Sequence, residues 1–245
     1  MKPHDTDVDI ILRIPGNWAD PADLVERMPD GVELTPGGLM LPDGTDLEWM
    51  PLLPDDQFAG IFRSACRTEA RPEELEVLDS YSVNIALTGP GGSLDAARVM
   101  LRAGAAIVRA GGAGVFIDNS GVAHGGHDWL EMADDGGSDA VSYAFINIIR
   151  GQHELWTMGM HVLGLPDLAM KNLNDQDDTE TLVEVIRYLC ESERSIGDGH
   201  ILADEEGARF RVATTTGHVF DSDSPMHNPW GRFKLVSMRE IAESN

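Results

Sequence analysis

A strand–helix–strand pattern at residues 83–118 limits the possible folds of this chain more than any other feature. Residues 83–87 form an apolar run typical of a buried strand, and Ser93 after a glycine-rich turn is a good N-cap for a helix. That helix extends to about residue 110 and is apolar around most of its circumference, so we expect it to be largely buried. A Gly-Gly pair ends it, and residues 114–118 form a second strand. The pattern predicts a β-α-β unit, normally with a right-handed crossover.

The other apolar segments are shorter. Before this unit, the sequence predicts a strand, a short helix, a three-stranded antiparallel meander and two helices. These elements are expected at residues 8–14, 20–28, 32–34, 39–41, 47–50, 56–67 and 72–80. After the unit, the sequence predicts a short helix, two strands, an amphipathic helix, two more strands, a turn-rich tract and a closing strand or helix. These are expected from residue 128 and at 141–149, 155–162, 179–193, 201–204, 209–213, 221–230 and 231–245.

Together the patterns predict an α+β fold. A mixed, mainly antiparallel sheet is expected to be packed by two long helices, 93–110 and 179–193, beside a smaller N-terminal β-α-β-β-β portion. A chain of 245 residues can bury a substantial core, and we expect a single compact unit over residues 1–245. A subdivision, if present, separates an N-terminal portion (1–70) from a main α+β portion (82–245).

Charge narrows the possible partners. The chain has 18 Lys and Arg residues against 42 Asp and Glu residues, which gives a formal net charge of −24. Repulsion would oppose binding to a phosphate backbone or an anionic membrane, so we expect neither a nucleic-acid nor a membrane partner. The acidity suits a basic protein partner, nucleic-acid mimicry or a solubilising surface. No run approaches the roughly 20 apolar residues of a membrane span.

The predicted location is the cytoplasm. The N-terminal residues are acidic where a signal peptide needs a basic start and an apolar run. The two cysteines, Cys66 and Cys190, are too few for a disulfide framework, and we expect free thiols.

Three segments of the chain resemble an uncharacterised bacterial domain family, domain of unknown function 4261. They are residues 105–124 with the sequence Ile117-Asp118-Asn119-Ser120-Gly121, residues 155–160, and residues 163–167. The resemblance covers residues 83–193 and departs from the family pattern at Met160, where Leu is usual, and at Asp167, where Glu is usual. It implies a bacterial α+β domain and carries no established chemistry.

The strongest candidate site is the loop at residues 118–128, which places two imidazoles and two carboxylates beside flexible glycines. Its candidate ligand or metal residues are Asp118, Asn119, Ser120, His124, His127 and Asp128. A divalent metal held by His124 and His127, with Asp118 or Asp128 as a third ligand, could activate water for hydrolysis. Ser120 and His124 could instead act as a nucleophile and its base.

The same loop has two noncatalytic interpretations. It could form a ligand or partner surface, since such sites are often built on loops. It could also be an ordinary turn, in which Asp128 caps the following helix and Glu131 completes a capping box. Two further histidines, His153 and His161, would approach the loop only if the strands near them pair suitably.

A second candidate is an anion site at the start of the 93–110 helix. Its residues are Gly91, Gly92, Ser93, Arg98 and Arg102. Glycine amides at a helix start can bind an anion, but the segment lacks the Lys of a phosphate-binding P-loop. A tight turn and arginines paired with carboxylates, such as Asp95 beside Arg98, explain the same pattern.

These observations lead to a noncatalytic binding or interaction protein as the main functional hypothesis. The alternatives are a metal-assisted hydrolase that uses the 118–128 loop and an immunity-like protein that neutralises a basic partner. No catalytic signature is present, so the sequence favours a protein that is not an enzyme. It implies no particular cofactor, and the homo-oligomeric state stays undetermined.

Overall fold

The regular structure consists of thirteen strands and eight α-helices within the part of the chain that the computed structural model describes. The described residues are 8–172, 177–191, 196–204, 207–215 and 220–243. The strands are β1 (Asp9–Gly16), β2 (Glu33–Thr35), β3 (Gly38–Met40), β4 (Asp46–Leu52), β5 (Val83–Pro90), β6 (Gly114–Ile117), β7 (Val122–Gly125), β8 (Asn147–Arg150), β9 (Glu154–Met158), β10 (Asp167–Lys171), β11 (Ile201–Asp204), β12 (Gly207–Thr214) and β13 (Arg232–Ser237). The helices are α1 (Pro21–Glu26), α2 (Phe58–Ala65), α3 (Pro72–Ser80), α4 (Leu94–Arg109), α5 (Gly126–Asp135), α6 (Ser138–Phe145), α7 (Asp177–Glu191) and α8 (Met238–Glu243).

The first sheet has seven strands in the order β2-β3-β4-β5-β1-β6-β7, and all neighbours are antiparallel. Strand β1 lies at its centre, with Leu12 opposite Leu87 on one side and opposite Ile117 on the other. The predicted strands of the β-α-β unit, β5 and β6, are therefore parallel and separated by β1. Because β1–β4 and β5–β7 share this sheet, the predicted boundary between residues 1–70 and 82–245 falls inside it.

Helix α4 forms the centre of the core, as its apolar circumference predicts. Ser93 is its N-cap, and the Ser93 hydroxyl accepts a hydrogen bond from the amide of Ala96 at 3.1 Å. Met100 and Leu101 on α4 are buried together with Leu12 of β1. Burial of each such side chain contributes roughly 2 kcal/mol, so the helix binds firmly to one face of the first sheet.

The second sheet has six strands in the order β11-β12-β13-β10-β9-β8. Strands β10 and β13 are parallel, and the other neighbours are antiparallel, so the predicted mixed, mainly antiparallel α+β fold is confirmed. Helix α7 buries an apolar stripe, which includes Leu182, Val185, Ile186 and Leu189. The thiols of Cys66 and Cys190 are free and half-buried.

Two strand predictions are wrong. Residues 141–149, predicted as one strand, contain the end of α6 before β8 begins. Val141, Ala144 and Phe145 are buried at helical spacing, and this short amphipathic pattern was hidden within a longer apolar run. The strand predicted at 155–162 ends at Met158 because Gly159 adopts φ +97°, after which Met160–Leu163 forms a 3₁₀ helix.

None of the helices in the described ranges has the length and apolar character required to cross a bilayer.

Candidate functional site

The predicted loop at residues 118–128 consists of the turn that joins β6 to β7 in a β-hairpin, strand β7 and the first residues of α5, and Asp118 lies at the turn. In this register Ile117 pairs with Val122 and Gly114 pairs with Gly125. His127 follows the other end of β7, and a strand rises about 3.3 Å per residue. The structure therefore places Asp118 and His127 at opposite ends of β7, too far apart to hold one metal ion.

Asp118 has a different partner. Its Oδ2 atom lies 2.9 Å from Nε of Arg13 on the neighbouring strand β1. Burial raises the pKa of the Asp118 carboxyl, and the Arg13 cation opposes that increase. The pair stabilises the join between β1 and the hairpin.

His124 is a core residue. Its side chain is fully buried, and its Nε2 lies 2.9 Å from the carbonyl oxygen of Ala144, which can only accept, so Nε2 carries the proton. Burial lowers its pKa to about 4, so the ring is neutral at pH 7. The rings of Trp129 and Tyr143 pack beside it, with centroids at 5.9 and 5.8 Å.

Ser120 is not hydrogen-bonded to His124. The Ser120 side chain is fully buried, and its hydroxyl has no hydrogen-bond partner within the described part of the chain. Nδ1 of His124 is likewise without a partner there. The two residues predicted as a nucleophile and its base are therefore not arranged as a catalytic pair.

The capping box predicted at Asp128 and Glu131 is wrong. Strand β7 continues to Gly125, so α5 begins at Gly126 and Asp128 lies in its first turn. Glu74 of α3 supplies the cap instead, since its Oε1 accepts a hydrogen bond from the amide of His127 at 2.6 Å. The Asp128 carboxylate accepts a hydrogen bond from the hydroxyl of Thr68.

Three side chains on the first two turns of α5 lie close enough to suit a metal. The ligand atoms of His127, Asp128 and Glu131 are within 4.8 Å of one another, and no other such group of three occurs among the described residues. Nε2 of His127 is 3.1 Å from Oε1 of Glu131, and both side chains are at the surface. An exposed i,i+4 contact between the His127 ring and the Glu131 carboxylate explains this geometry without a metal.

The predicted anion site is occupied by the protein's own backbone. The amide of Gly91 donates to the carbonyl of Val8 at 2.7 Å, and the amide of Gly92 donates to the carbonyl of Val162 at 2.9 Å. The Ser93 hydroxyl is used as the N-cap of α4. These groups form a tight structural turn, so their amides are not directed at a ligand.

The arginines of α4 are paired with carboxylates. Arg98 contacts Asp95 at 2.8 Å, and Arg102 contacts Asp43 at 3.1 Å. Nε of Arg98 also donates to the carbonyl of Gly136. These arginines therefore form a salt-bridged edge of the helix, which was the alternative to an anion site.

A polar pocket of about 440 Å³, which we call the Asn119–His161 pocket, lies between β1, the hairpin turn, the 3₁₀ helix and residues 222–229. Its lining residues are Val8, Asp9, Ile11, Asn119, His161, Ser222, Asp223, Ser224, Pro225, His227 and Pro229. The pocket therefore joins one residue of the predicted loop to segments far away in the sequence.

Asn119 holds three backbone segments together at this pocket. Its side chain is 1% exposed, and Oδ1 accepts from the amide of Ile11 at 2.9 Å. Nδ2 donates to the carbonyls of Asp9 at 2.9 Å and Pro225 at 3.0 Å. The primary amide is suited to this role because it supplies one acceptor and two donors.

His161 is the other buried polar residue of the pocket. It is 1% exposed, and its Nε2 lies 2.9 Å from the carbonyl oxygen of Pro225, so Nε2 carries the proton and donates. Burial lowers its pKa to about 4, and the ring is therefore neutral at pH 7. Nδ1 then offers a lone pair that has no partner in the described chain.

Asp167 supports the 3₁₀ helix that carries His161. Its Oδ1 accepts from the hydroxyl of Thr157 at 3.2 Å and from the amide of Met160 at 3.3 Å. Burial raises the pKa of Asp167 to about 6. Through its bond to the Met160 amide, the Asp167 carboxyl holds the first residue of the 3₁₀ helix in place.

The turn-rich tract predicted at 221–230 forms the outer wall of the pocket. Nδ1 of His227 lies 3.0 Å from the carbonyl oxygen of Phe220, the residue before the tract. Nδ2 of Asn228 donates to the carbonyl of Leu165 at 3.0 Å and attaches the tract to the 3₁₀ helix region. The sequence indicates the turn but contains no signal that it covers a pocket.

The structure brings one predicted residue of the loop, Asn119, into the pocket together with His161. It does not bring Asp118, His124 and His127 together around one point, and His153 is exposed at the turn between β8 and β9. The lining residues Asp9 and Asp223 were not predicted, because nothing local distinguishes them from the other acidic residues of the chain.

No family model, no curated protein and no solved structure matches this chain. Membership of the bacterial family that residues 83–193 resemble stays a prediction. The fold and the site define an α+β protein with a partly enclosed polar pocket, and its function has to be inferred from that geometry.

Proposed function

We propose that this chain is a noncatalytic binding protein whose ligand site is the Asn119–His161 pocket. The observation that supports this proposal is the pocket, through its size and its polar groups. Its volume of about 440 Å³ lies within the range of roughly 300–1,000 Å³ that is usual for small-molecule sites. It also has convergent polar groups from four separate segments, which is how such sites select the orientation of a ligand.

The pocket wall is pre-formed. Asn119 links β1 to the outer wall through Asp9 and Pro225, and His161 donates to Pro225 from the other side. A wall held by buried hydrogen bonds loses little conformational entropy when a ligand binds. This organisation supports binding of a small, polar molecule.

The geometry favours a binding protein over the metal-assisted hydrolase. Asp118 is paired with Arg13, and His124 is buried with its Nε2–H bonded to a backbone carbonyl. His127 lies beyond the other end of β7 from Asp118, so the residues predicted as metal ligands do not surround one point.

The proposal includes the cytoplasmic location and the absence of a nucleic-acid partner. Free thiols at both cysteines and the net charge of −24 support these two points. An immunity-like role toward a basic protein is supported by the charge alone, so we place it second.

The test is a screen of small polar molecules of each charge type by thermal shift, followed by isothermal titration calorimetry on the hits. Ser222 is exposed, lines the pocket and suits a blocking variant, Ser222→Trp. The matched control is Ser64→Trp on the exposed face of α2. We expect a hit that Ser222→Trp abolishes and Ser64→Trp preserves; failure of every charge type to bind, or equal binding to both variants, contradicts the proposal.

A further inference from the structure

We infer that the outer face of the second sheet is a docking surface for a short acidic segment of a partner protein. The outer face is the one that carries Trp156 and that points away from the hydrophobic core. The inference goes beyond the proposed function, because this surface shares no lining residue with the Asn119–His161 pocket. It follows from the register of the strands and from the charges that the register brings together.

Strand β9 shows how the two faces of the second sheet differ. Leu155 and Thr157 are buried, whereas the alternate residues Trp156 and Met158 are partly exposed. Successive side chains of a strand point to opposite faces of the sheet. Leu155 belongs to the hydrophobic core, so Trp156 lies on the face that is directed away from it.

Trp156 belongs to a row of residues that crosses this face. The row takes one residue from each of β8, β9, β10, β13 and β12, which are Ile149, Trp156, Ala169, Lys234 and Ala213. Directly paired residues of neighbouring strands lie on the same face. Ile149 and Trp156 are half-buried and belong to neither apolar cluster of the core. The outer face therefore presents partly exposed apolar surface.

The charge of the outer face is opposite to that of the molecule. Across β8, β9, β10, β13 and residues 210–214 of β12, its charged side chains are Lys171, Arg211, Arg232, Lys234, Glu154 and Asp167. Cations therefore outnumber carboxylates here, whereas the whole chain has 18 basic against 42 acidic residues. The face is a local positive patch on an acidic protein.

Most of these cations lack a counterion. Arg232 lies 3.6 Å from Glu154, but Lys171, Arg211 and Lys234 form no ion pair with any residue that the structure describes. Lys171 and Arg211 are also exposed. In a chain with so many carboxylates, unpaired cations on one face are available to the carboxylates of another molecule.

The width of the face limits the partner to a short segment. Six strands about 4.8 Å apart form a face roughly 24 Å wide, which matches about seven residues of an extended chain. Carboxylates of such a segment would bind Lys171, Arg211 and Lys234, and an apolar side chain would cover Trp156. Aromatic side chains and arginines are the residues that most often dominate protein–protein binding.

The surrounding acidity favours this partner over two others. A nucleic acid would extend beyond the face onto negatively charged surfaces and be repelled there. A second copy of the chain would bring its own net charge of −24 against that of the first. A short acidic segment ends within the face, and carboxylates more than about 8 Å away are largely screened at physiological salt.

The experiment selects ligands from a random library of heptapeptides displayed on phage, with the full chain as the target. Fluorescence polarisation then measures the affinity of the enriched peptides. We expect enriched peptides to combine several Asp or Glu residues with one aromatic or large aliphatic residue. Replacing their acidic residues by the corresponding amides should weaken binding at least tenfold, and affinity should fall as salt rises above about 150 mM.

Two variants test whether these peptides bind the outer face. Lys234→Glu reverses a cation in the central row, and we expect it to weaken binding at least tenfold. Trp156→Ala removes apolar surface outside the core clusters and should weaken binding about tenfold. The control Arg27→Glu makes the same change in net charge at an exposed residue outside the face and should leave the affinity unchanged. Circular dichroism checks that each variant is folded.

Four results would overturn the inference. The first is that no peptide is enriched or that the enriched peptides are not acidic. The second is equal binding to Lys234→Glu and Arg27→Glu, which would show that the peptides associate elsewhere. The third is tighter binding of a ten-nucleotide oligodeoxythymidine that Lys234→Glu abolishes, which would assign the face to single-stranded nucleic acid. The fourth is a dimer of the wild-type chain, detected by light scattering, that Lys234→Glu dissociates.

Discussion

At the scale of single residues, the molecule depends on polar side chains buried with their hydrogen bonds directed at backbone carbonyls. His124 and His161 are both neutral, and each donates from Nε2 to a carbonyl oxygen. Asn119 uses its whole amide in the same way. Such groups stabilise one arrangement of segments because a shift would leave a buried donor unsatisfied.

Lowering the pH should reduce the folding stability that these buried, neutral histidines contribute. The pKa of His161 is lowered from 6.5 in the unfolded chain to about 4 in the folded chain, so the folded state binds fewer protons between these values. Its contribution to stability is complete above pH 6.5 and is lost as the pH falls toward 4. Between pH 7.5 and 5 this loss is about 2 kcal/mol.

The variant His161→Gln keeps a donor for the carbonyl of Pro225 and cannot titrate. We expect its free energy of unfolding, measured by urea denaturation at pH 7.5 and at pH 5, to fall by about 2 kcal/mol less than that of the wild type. The Asp167 carboxyl, with its pKa raised to about 6, has the opposite sign, since its contribution is lost as the pH rises toward 6. The Asp167 carboxyl is present in both proteins, so its effect cancels in the comparison.

The control variant His153→Gln replaces an exposed ring, and its free energy of unfolding should change with pH as that of the wild type does. If His161→Gln showed the same pH dependence as the wild type, the buried, neutral state of His161 would be contradicted.

At the scale of elements, the position of α4 depends on close approach to α5. Nε1 of Trp129 donates to the carbonyl of Leu101 at 3.1 Å, and the indole lies against Gly104. A Cβ added at Gly104 would lie 2.9 Å from Nε1 of Trp129 and 3.1 Å from Cδ1 of Leu12. Glycine in the middle of this helix is therefore explained by packing.

The two substitutions Gly104→Ala and Gly60→Ala should have opposite effects. Alanine at 104 would overlap the buried indole, and we expect it to destabilise the protein by about 1–3 kcal/mol. Gly60 is exposed on α2 with open space around it, so alanine there should stabilise by about 0.5–1 kcal/mol through helix propensity. Urea denaturation measures both; a stabilising Gly104→Ala would show that the two helices are not in close contact.

At the scale of the whole molecule, charge is the dominant property. With 42 acidic against 18 basic residues, the folded chain repels itself, and many of its arginines are already used in ion pairs such as Arg102 with Asp43. Long-range repulsion is screened by salt, whereas buried hydrogen bonds are affected much less. Stability should therefore depend on ionic strength.

We expect the midpoint of thermal unfolding to rise as NaCl increases from about 10 to 300 mM, with most of the change below the concentration at which the Debye length reaches about 8 Å. The physical reason is that compaction brings like charges together, and screening reduces this cost. Differential scanning calorimetry in NaCl and in KCl would separate screening from specific ion binding. A constant or falling midpoint in both salts would show that short-range ion pairs outweigh the net repulsion.

The local pattern of the sequence predicts most elements because periodicity and capping act over a few residues. The apolar circumference of 93–110, the Ser93 cap and the amphipathic stripe of 179–193 are all local, and the structure confirms both helices. Residues 141–149 were misread because a helical turn followed directly by a strand leaves one continuous apolar run. Separating the two requires knowledge of which neighbours bury them.

The pocket, in contrast, is decided by tertiary structure. Asn119 and His161 are 42 positions apart, and Pro225 is a further 64 positions from His161. Nothing in the local sequence around any of them shows that β1 inserts between β5 and β6 or that the 222–229 segment closes over the hairpin turn. Pairing of distant segments depends on the total burial and hydrogen bonding that the whole chain achieves. The sequence by itself therefore determined the elements, the α+β class and the charge, whereas only the folded arrangement brought Asn119 and His161 together as buried polar groups of one pocket.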